Sequence, residues 1–296
     1  MDSLLRRLFL ATVAGAALLA APPCWAHRGI DEQIRDVTRL IEASPRDASL
    51  RLRRGELHRA EGDWKSAEAD YEAARRLDPG LDAVDLALGS MLLESGRKPE
   101  AARAALDRFL AGRPGHTDAL VARARVLVRL QEPAAAVKDY DDAIAGIQPP
   151  ARPRPEHYLE RADALASQGD GRLAEALAGL DEGLARLGQP ITLQMRAIDF
   201  ELRLKRHDAA LARVDQILSR PGRRERWLMR RGEIQEAAGR TAEARASYEE
   251  ALVAIDRLPE GRRNAPATRQ LGDELRSALK RLPPTATSSV SPPASP

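Results

Sequence analysis

Apolar residues near the two ends of this chain recur at the spacing of one helix face. Ile30, Ile34, Val37, Leu40 and Ile41 follow that spacing and stop at Ser44-Pro45, which predicts an amphipathic helix. Leu271, Leu275, Ala278, Leu279 and Leu282 predict a second one, starting near Ala265-Pro266. Between them, small residues keep a regular count. Gly55, Gly62, Ala67, Tyr71 and Ala74 lie 7, 5, 4 and 3 residues apart, and Gly232, Gly239, Ala244, Tyr248 and Ala251 repeat those intervals. Parts of the same frame return as Gly89, Gly96 and Ala101, as Ala124, Ala136, Tyr140 and Ala143, and as Ala162 with Gly169. A fainter copy runs through Ala197, Phe200 and residues 208–211.

The frame predicts pairs of helices. Gly62, Gly96, Gly169 and Gly239 stand where a first helix should end, a position that favours glycine. Pro99 and Pro133 fall near the start of second helices, where a missing N–H costs little. In this the chain resembles the tetratricopeptide repeat, a unit of about 34 residues with small, aromatic and small residues at fixed helical positions. Six units can be counted, starting near Ala48, Asp82, Thr117, Pro155, Pro190 and Glu225. The resemblance implies an all-α fold, a right-handed α-α superhelix of six helix-turn-helix repeats closed by capping helices at both ends. The expected divisions are an N-terminal cap at 27–47, repeats one to three at 48–150, a linker at 151–154, repeats four to six at 155–258 and a C-terminal cap at 259–282. Four prolines between Pro149 and Pro155 exclude helix there. They are expected to form a spacer or kink, in preference to a polyproline ligand.

The ends carry different signals. Arg6-Arg7, an uncharged run from Leu8 to Ala21 and small residues at Cys24 and Ala26 have the layout of an export signal over residues 1–26. The expectation is a periplasmic or secreted protein. The general secretory route is preferred, although Arg6-Arg7-Leu8-Phe9-Leu10 resembles a twin-arginine core. Cleavage would remove the only cysteine, leave His27 first and leave no membrane-spanning segment. The tail at 283–296 is uncharged and rich in Pro, Ser and Thr, and is expected to be disordered.

Composition then narrows the function. The chain has 296 residues, 47 basic and 44 acidic, so its formal charge of +3 gives no reason to expect nucleic acid. Only 3% of residues are aromatic, and Tyr71, Tyr140, Tyr158, Tyr248, Phe109, Phe200, Trp64 and Trp227 all fall at or beside core slots of the repeat. Core packing accounts for them. No nucleophile elbow, zinc-protease helix, phosphate loop or dinucleotide loop is present, so neither an enzyme nor a cofactor is expected. The histidines stand one to a unit, with ordinary structural roles. His27 alone offers another chemistry, because a terminal amine beside an imidazole can chelate a divalent metal. An arginine precedes the small residue in five units, as Arg54, Arg123, Arg161, Arg196 and Arg231. Pairing with carboxylates of adjacent helices is expected of them, rather than capture of an acidic partner.

The resemblance also implies a partner-binding groove on the first helices. Its members would be Leu52, Glu56 and Arg59, then Leu86, Ser90 and Leu93, then Val121, Arg125, Val128 and Arg129, then Leu159 and Asp163, and last Met229, Glu233 and Glu236. Aliphatic anchors mixed with both charges suit an extended peptide or a helix of a protein partner. The lysine and asparagine clamp of chaperone-binding members is missing. The expectation is an exported scaffold or adaptor of the cell envelope, with a metal-handling or enzyme-accessory role through His27 as the rival.

Overall fold

The computed structural model of the protein describes residues 29–283. The export signal, His27 and the tail from 284 onward lie outside the described residues. Among the described residues there are helices and no strands. They form two compact units that divide between Ala87 and Leu88.

The first unit holds α1 (Ile30–Ala43), α2 (Ala48–Glu61), α3 (Trp64–Leu77) and the first turn of α4 (Ala83–Ser95). Asp47 caps α2 by accepting from the N–H groups of Ser49 and Leu50, and Asp63 caps α3 by accepting from Ser66. A side chain of this kind satisfies donors that the first helical turn leaves open. Val37 and Ile41 of α1 are buried. The predicted N-terminal helix therefore covers the repeat that follows it.

The second unit continues with α5 (Pro99–Gly112), α6 (Thr117–Arg129), α7 (Pro133–Gly146), α8 (Pro155–Ala166), α9 (Leu173–Leu187), α10 (Ile191–Arg203), α11 (His207–Leu218), α12 (Glu225–Ala237), α13 (Thr241–Asp256), α14 (Glu260–Arg263) and α15 (Pro266–Arg281). Proline occupies the first turn of α5, α7, α8 and α15. In the fourth repeat a 3-10 turn at Asp170–Arg172 precedes the second helix. The proline segment between α7 and α8 is bridged from both sides. Tyr140 donates its hydroxyl to Glu160 at 3.0 Å, and Arg161 donates to Asp141 at 2.9 Å.

The packing explains the small residues. A Cβ on Gly55 would lie 2.6 Å from the Tyr71 ring, and one on Gly232 would lie 2.3 Å from the Tyr248 ring. In the second repeat Gly89 meets Leu106 at 2.6 Å in the same way. The aromatic therefore fills the crossing inside its own repeat. Ala67, Ala74, Ala124, Ala136, Ala143, Ala162, Ala244 and Ala251 are all buried at such crossings.

One turn position explains the recurring glycines between paired helices. Its φ is +78° at Gly62, +68° at Gly96, +113° at Gly169 and +75° at Gly239. In the third and fifth repeats the same left-handed turn is made by Gln131 at +61° and Lys205 at +57°. The backbone is conserved across the repeats even where glycine is absent, and those two residues hold a conformation costly for a side chain.

At the C-terminal end α15 places Leu271, Leu275 and Ala278 in one buried cluster with Leu228, Ile234, Ala244 and Tyr248. Each leucine fully removed from water contributes about 1.5–3 kcal/mol. This helix closes the core of the last repeat.

Candidate protein-interaction face

In the first and third repeats the arginine that precedes the small residue finds its carboxylate 16 residues later, on the second helix of the repeat. Arg54 grips Asp70 through two bonds of 2.7 Å, and Arg123 grips Asp139 the same way. Both aspartates are nearly sealed from water, at 4% and 3% exposure. The fork of Arg123, also held by Asp107 at 2.9 Å, has its pKa raised first by the hydrogen bonds it donates to Asp139. Arg231 repeats the geometry on the hydroxyl of Ser247 at 3.0 Å, which in turn donates to Gln235. Arg161 pairs with Asp141 and Glu182, and Arg196 with Asp163. These five arginines are structural. For Arg54, Arg123 and Arg231 the sequence signal was the residue just before the core tyrosine, Asp70, Asp139 or Ser247.

The expected groove residues separate into distinct roles. In the first unit Leu52, Glu56 and Arg59 of α2 and Leu86 of α4 are half-buried, and Arg59 donates to Glu56 at 3.1 Å. In the second unit Ser90 is half-buried, whereas Leu93 and Val121 are buried at 8% and 2% exposure. Those two side chains serve the core and offer a partner little surface. Val128, at 38% exposure, stays open, and Arg129 donates to the Leu93 carbonyl.

Two of the remaining groove charges tie one first helix to the next. Arg125 of α6 forks onto Glu160 of α8 at 2.9 and 2.8 Å. Asp163 of α8 accepts from Arg196 of α10 at 2.7 Å, although burial pushes its carboxyl above the usual range. Asp199 of α10 accepts from Arg230 of α12 at 2.9 Å, and Arg230 also donates to Glu233 at 3.1 Å. Arg125 and Asp163, expected in the groove, thus hold the helices together. Arg196 was expected to pair with a neighbouring helix; Glu160, Asp199 and Arg230 were missed as members of this ladder. Opposite charges one repeat apart on successive first helices were the available sign.

Three expected groove residues do share an open site. Met229, Glu233 and Glu236 line a cleft of about 940 Å³, with Ala237 and Tyr248 on the same side and Arg269, Asp273, Glu274 and Arg281 of α15 opposite. Glu236 accepts the Tyr248 hydroxyl at 2.9 Å. Burial, then that bond to Glu236, raises the tyrosine above its usual range, so the phenol stays protonated. The cleft has an apolar floor and charged walls, the features of a site for an extended or helical segment. Leu159 of α8 is half-buried and lies outside this cleft. Among the described residues no group of three or more His, Cys, Asp and Glu side chains could hold a metal ion. His27, the expected chelator, lies outside them.

The repeat can now be compared with known proteins. A family model described as tetratricopeptide repeat matches residues 25–82, 86–153 and 198–260, well over half of the chain. The chain belongs to the tetratricopeptide repeat family. No significant match was found among curated proteins. Solved structures agree on the fold. A tetratricopeptide repeat protein from Parabacteroides merdae is 18% identical with a TM-score of 0.50, the match covering 83% of this chain and 91% of that one. YrrB, a tetratricopeptide repeat protein with an unusual peptide-binding site, is 19% identical with a TM-score of 0.52, covering 63% and 92%. The Naa15/Naa10 complex bound to HypK-THB gives a TM-score of 0.53 at 14% identity, covering 84% of this chain and 39% of that one. Proteins of the tetratricopeptide repeat family generally mediate protein–protein interaction. No helix among the described residues is long and apolar enough to cross a membrane.

Proposed function

We propose that this tetratricopeptide repeat protein is an exported, non-enzymatic scaffold or adaptor of the bacterial cell envelope. It would act by presenting its first helices to a protein or peptide partner. The observation that carries the reading is the cleft between α12 and α15. There Met229, Glu233 and Glu236, three residues that the repeat frame assigns to the groove, line an open apolar-floored site. Membership of a family of interaction modules supports the same reading. The basic, apolar and small-residue layout of residues 1–26 supports export, and the general secretory route is preferred to the twin-arginine route. Fold alone assigns no partner, so the cleft is where the proposal is tested.

The test is affinity capture from an envelope fraction with the processed protein and with a Glu233→Lys, Glu236→Lys variant. A captured protein that is lost with the variant, at unchanged helix content, supports the cleft. Identical capture by both proteins would sink it.

A further inference from the structure

A second surface lies beside the first-helix ladder and is independent of the α12–α15 cleft. In the first two turns of α10, large apolar side chains stay in water: Ile191 is 48% exposed and Met195 50% exposed. Trp227 packs one side on the buried cluster of the last repeats. It also lines two hollows, one of about 330 Å³ with Met195 and Ile198, and one of about 170 Å³ with Ile191 and Ile217. An indole shared by two hollows is more than a core residue.

Two polar observations point to an occupant. Gln194 lines the smaller hollow and is 1% exposed, yet its Oε1 accepts no hydrogen bond. A buried acceptor left open in this way calls for a donor. Its own Nε2 is spent on Gln189 and Gln216, at 2.7 and 3.1 Å. The linings are basic on balance: Arg220, Arg223 and Arg224 line the smaller hollow, and Arg226 and Arg230 line the larger one with Asp199. Four of those arginines have partners, since Arg220 donates to the Gln189 carbonyl, Arg223 to Glu225, Arg224 to Glu250 and Arg230 to Asp199. Arg226, on the rim of the larger hollow, is exposed and makes no hydrogen bond or ion pair among the described residues.

We propose that this edge docks an acidic segment of a partner protein, one that inserts a large apolar side chain beside Met195 and Trp227. Arg226 would take a carboxylate of that segment, and a backbone N–H would complete Gln194. The concave shape favours a single inserted side chain, whereas a lipid surface needs apolar groups that project together. Charge complementarity with a basic rim selects an acidic segment over a basic one.

The experiment uses the full processed protein and a phage-displayed random twelve-residue peptide library as probe. Recovered peptides are synthesised, labelled and titrated by fluorescence anisotropy against wild type, Arg226→Glu, Met195→Asp and an Ala212→Asp control on α11. The expected result is a family of net-negative peptides sharing a large apolar residue. Their affinity should fall at least tenfold with Arg226→Glu and with Met195→Asp, weaken with added salt and hold with Ala212→Asp, all at unchanged circular dichroism. Recovery of only basic or neutral peptides, of none, or of peptides indifferent to Arg226 and Met195 would overturn the proposal. Sedimentation with phosphatidylglycerol vesicles that Arg226→Glu abolishes would overturn it in favour of a lipid surface. Because Glu233 and Glu236 are not altered, failure here leaves the cleft reading standing.

Discussion

Replacing Gly232 by alanine tests the packing rule on which the repeats are built. In an ordinary helix interior the change would stabilise by about 1 kcal/mol, because alanine restricts the unfolded chain and favours the helix. Here the new Cβ would meet Tyr248 Cε1 at 2.3 Å and Cδ1 at 2.6 Å. The ring cannot retreat freely, since Tyr248 is 1% exposed and its hydroxyl is held by Glu236. Overpacking of this kind costs about 1–3 kcal/mol, so the clash cancels or exceeds the helix gain. Tyr248→Leu removes the ring and will itself destabilise by leaving a cavity. In that background, however, Gly232→Ala should stabilise by about 1 kcal/mol. Urea titrations of the four proteins, followed by circular dichroism, give a coupling energy of about 1–3 kcal/mol. If Gly232→Ala stabilises the wild type as much as it stabilises the leucine variant, ring-on-glycine packing does not select the small residue.

Other consequences can be measured in the same way. Asp139→Ala removes two bonds of 2.7 Å from Arg123, which keeps Asp107, and should cost about 1–3 kcal/mol in urea titrations, whereas Glu175→Ala, which breaks an exposed pair with Arg172, should cost less than about 1 kcal/mol. Gln131→Gly and Lys205→Gly relieve left-handed turns and should each raise stability, by up to about 1 kcal/mol, against no gain for glycine placed within the following helices. Burial, reinforced by Arg154, holds His157 below its ordinary pKa of 6.5. The folded protein therefore binds that proton less readily than the unfolded chain, and stability is lost as pH falls below about 6.5. Denaturation from pH 7.5 to 5 should show wild type losing ground to His157→Gln, and parallel profiles would refute the assignment. Expression of the full sequence in a Gram-negative host should yield a periplasmic protein whose mass begins at His27; an unprocessed cytoplasmic product would contradict the export reading.

The repeat could be read from sequence because close helix crossings demand small residues. Gly55 and Tyr71, or Gly232 and Tyr248, announce one crossing each, and their spacing repeats because the crossing does. The first helices begin close to the predicted starts, with α2, α6, α8 and α12 opening at Ala48, Thr117, Pro155 and Glu225. The site was less legible. Family position assigns Val121 to a groove, but neighbouring helices bury it, which the pattern within one helix does not reveal. Arg125 and Asp163 look like ligand hooks until their partners Glu160 and Arg196, one repeat away, are seen to consume them. Trp227 read as core because it occupies an apolar slot; only packing shows that part of its ring faces two hollows. Gln131 and Lys205 hid the conserved turn because backbone conformation can persist where its favoured residue does not.

The central claim is that the protein works by holding a partner on its first helices. A photo-crosslinking amino acid placed at Glu233 on α12, compared with one at exposed Ala178 on α9, tests it in intact cells. The account predicts a discrete crosslinked protein partner from position 233 and none from 178. No crosslink at 233, or the same products from both positions, would contradict it.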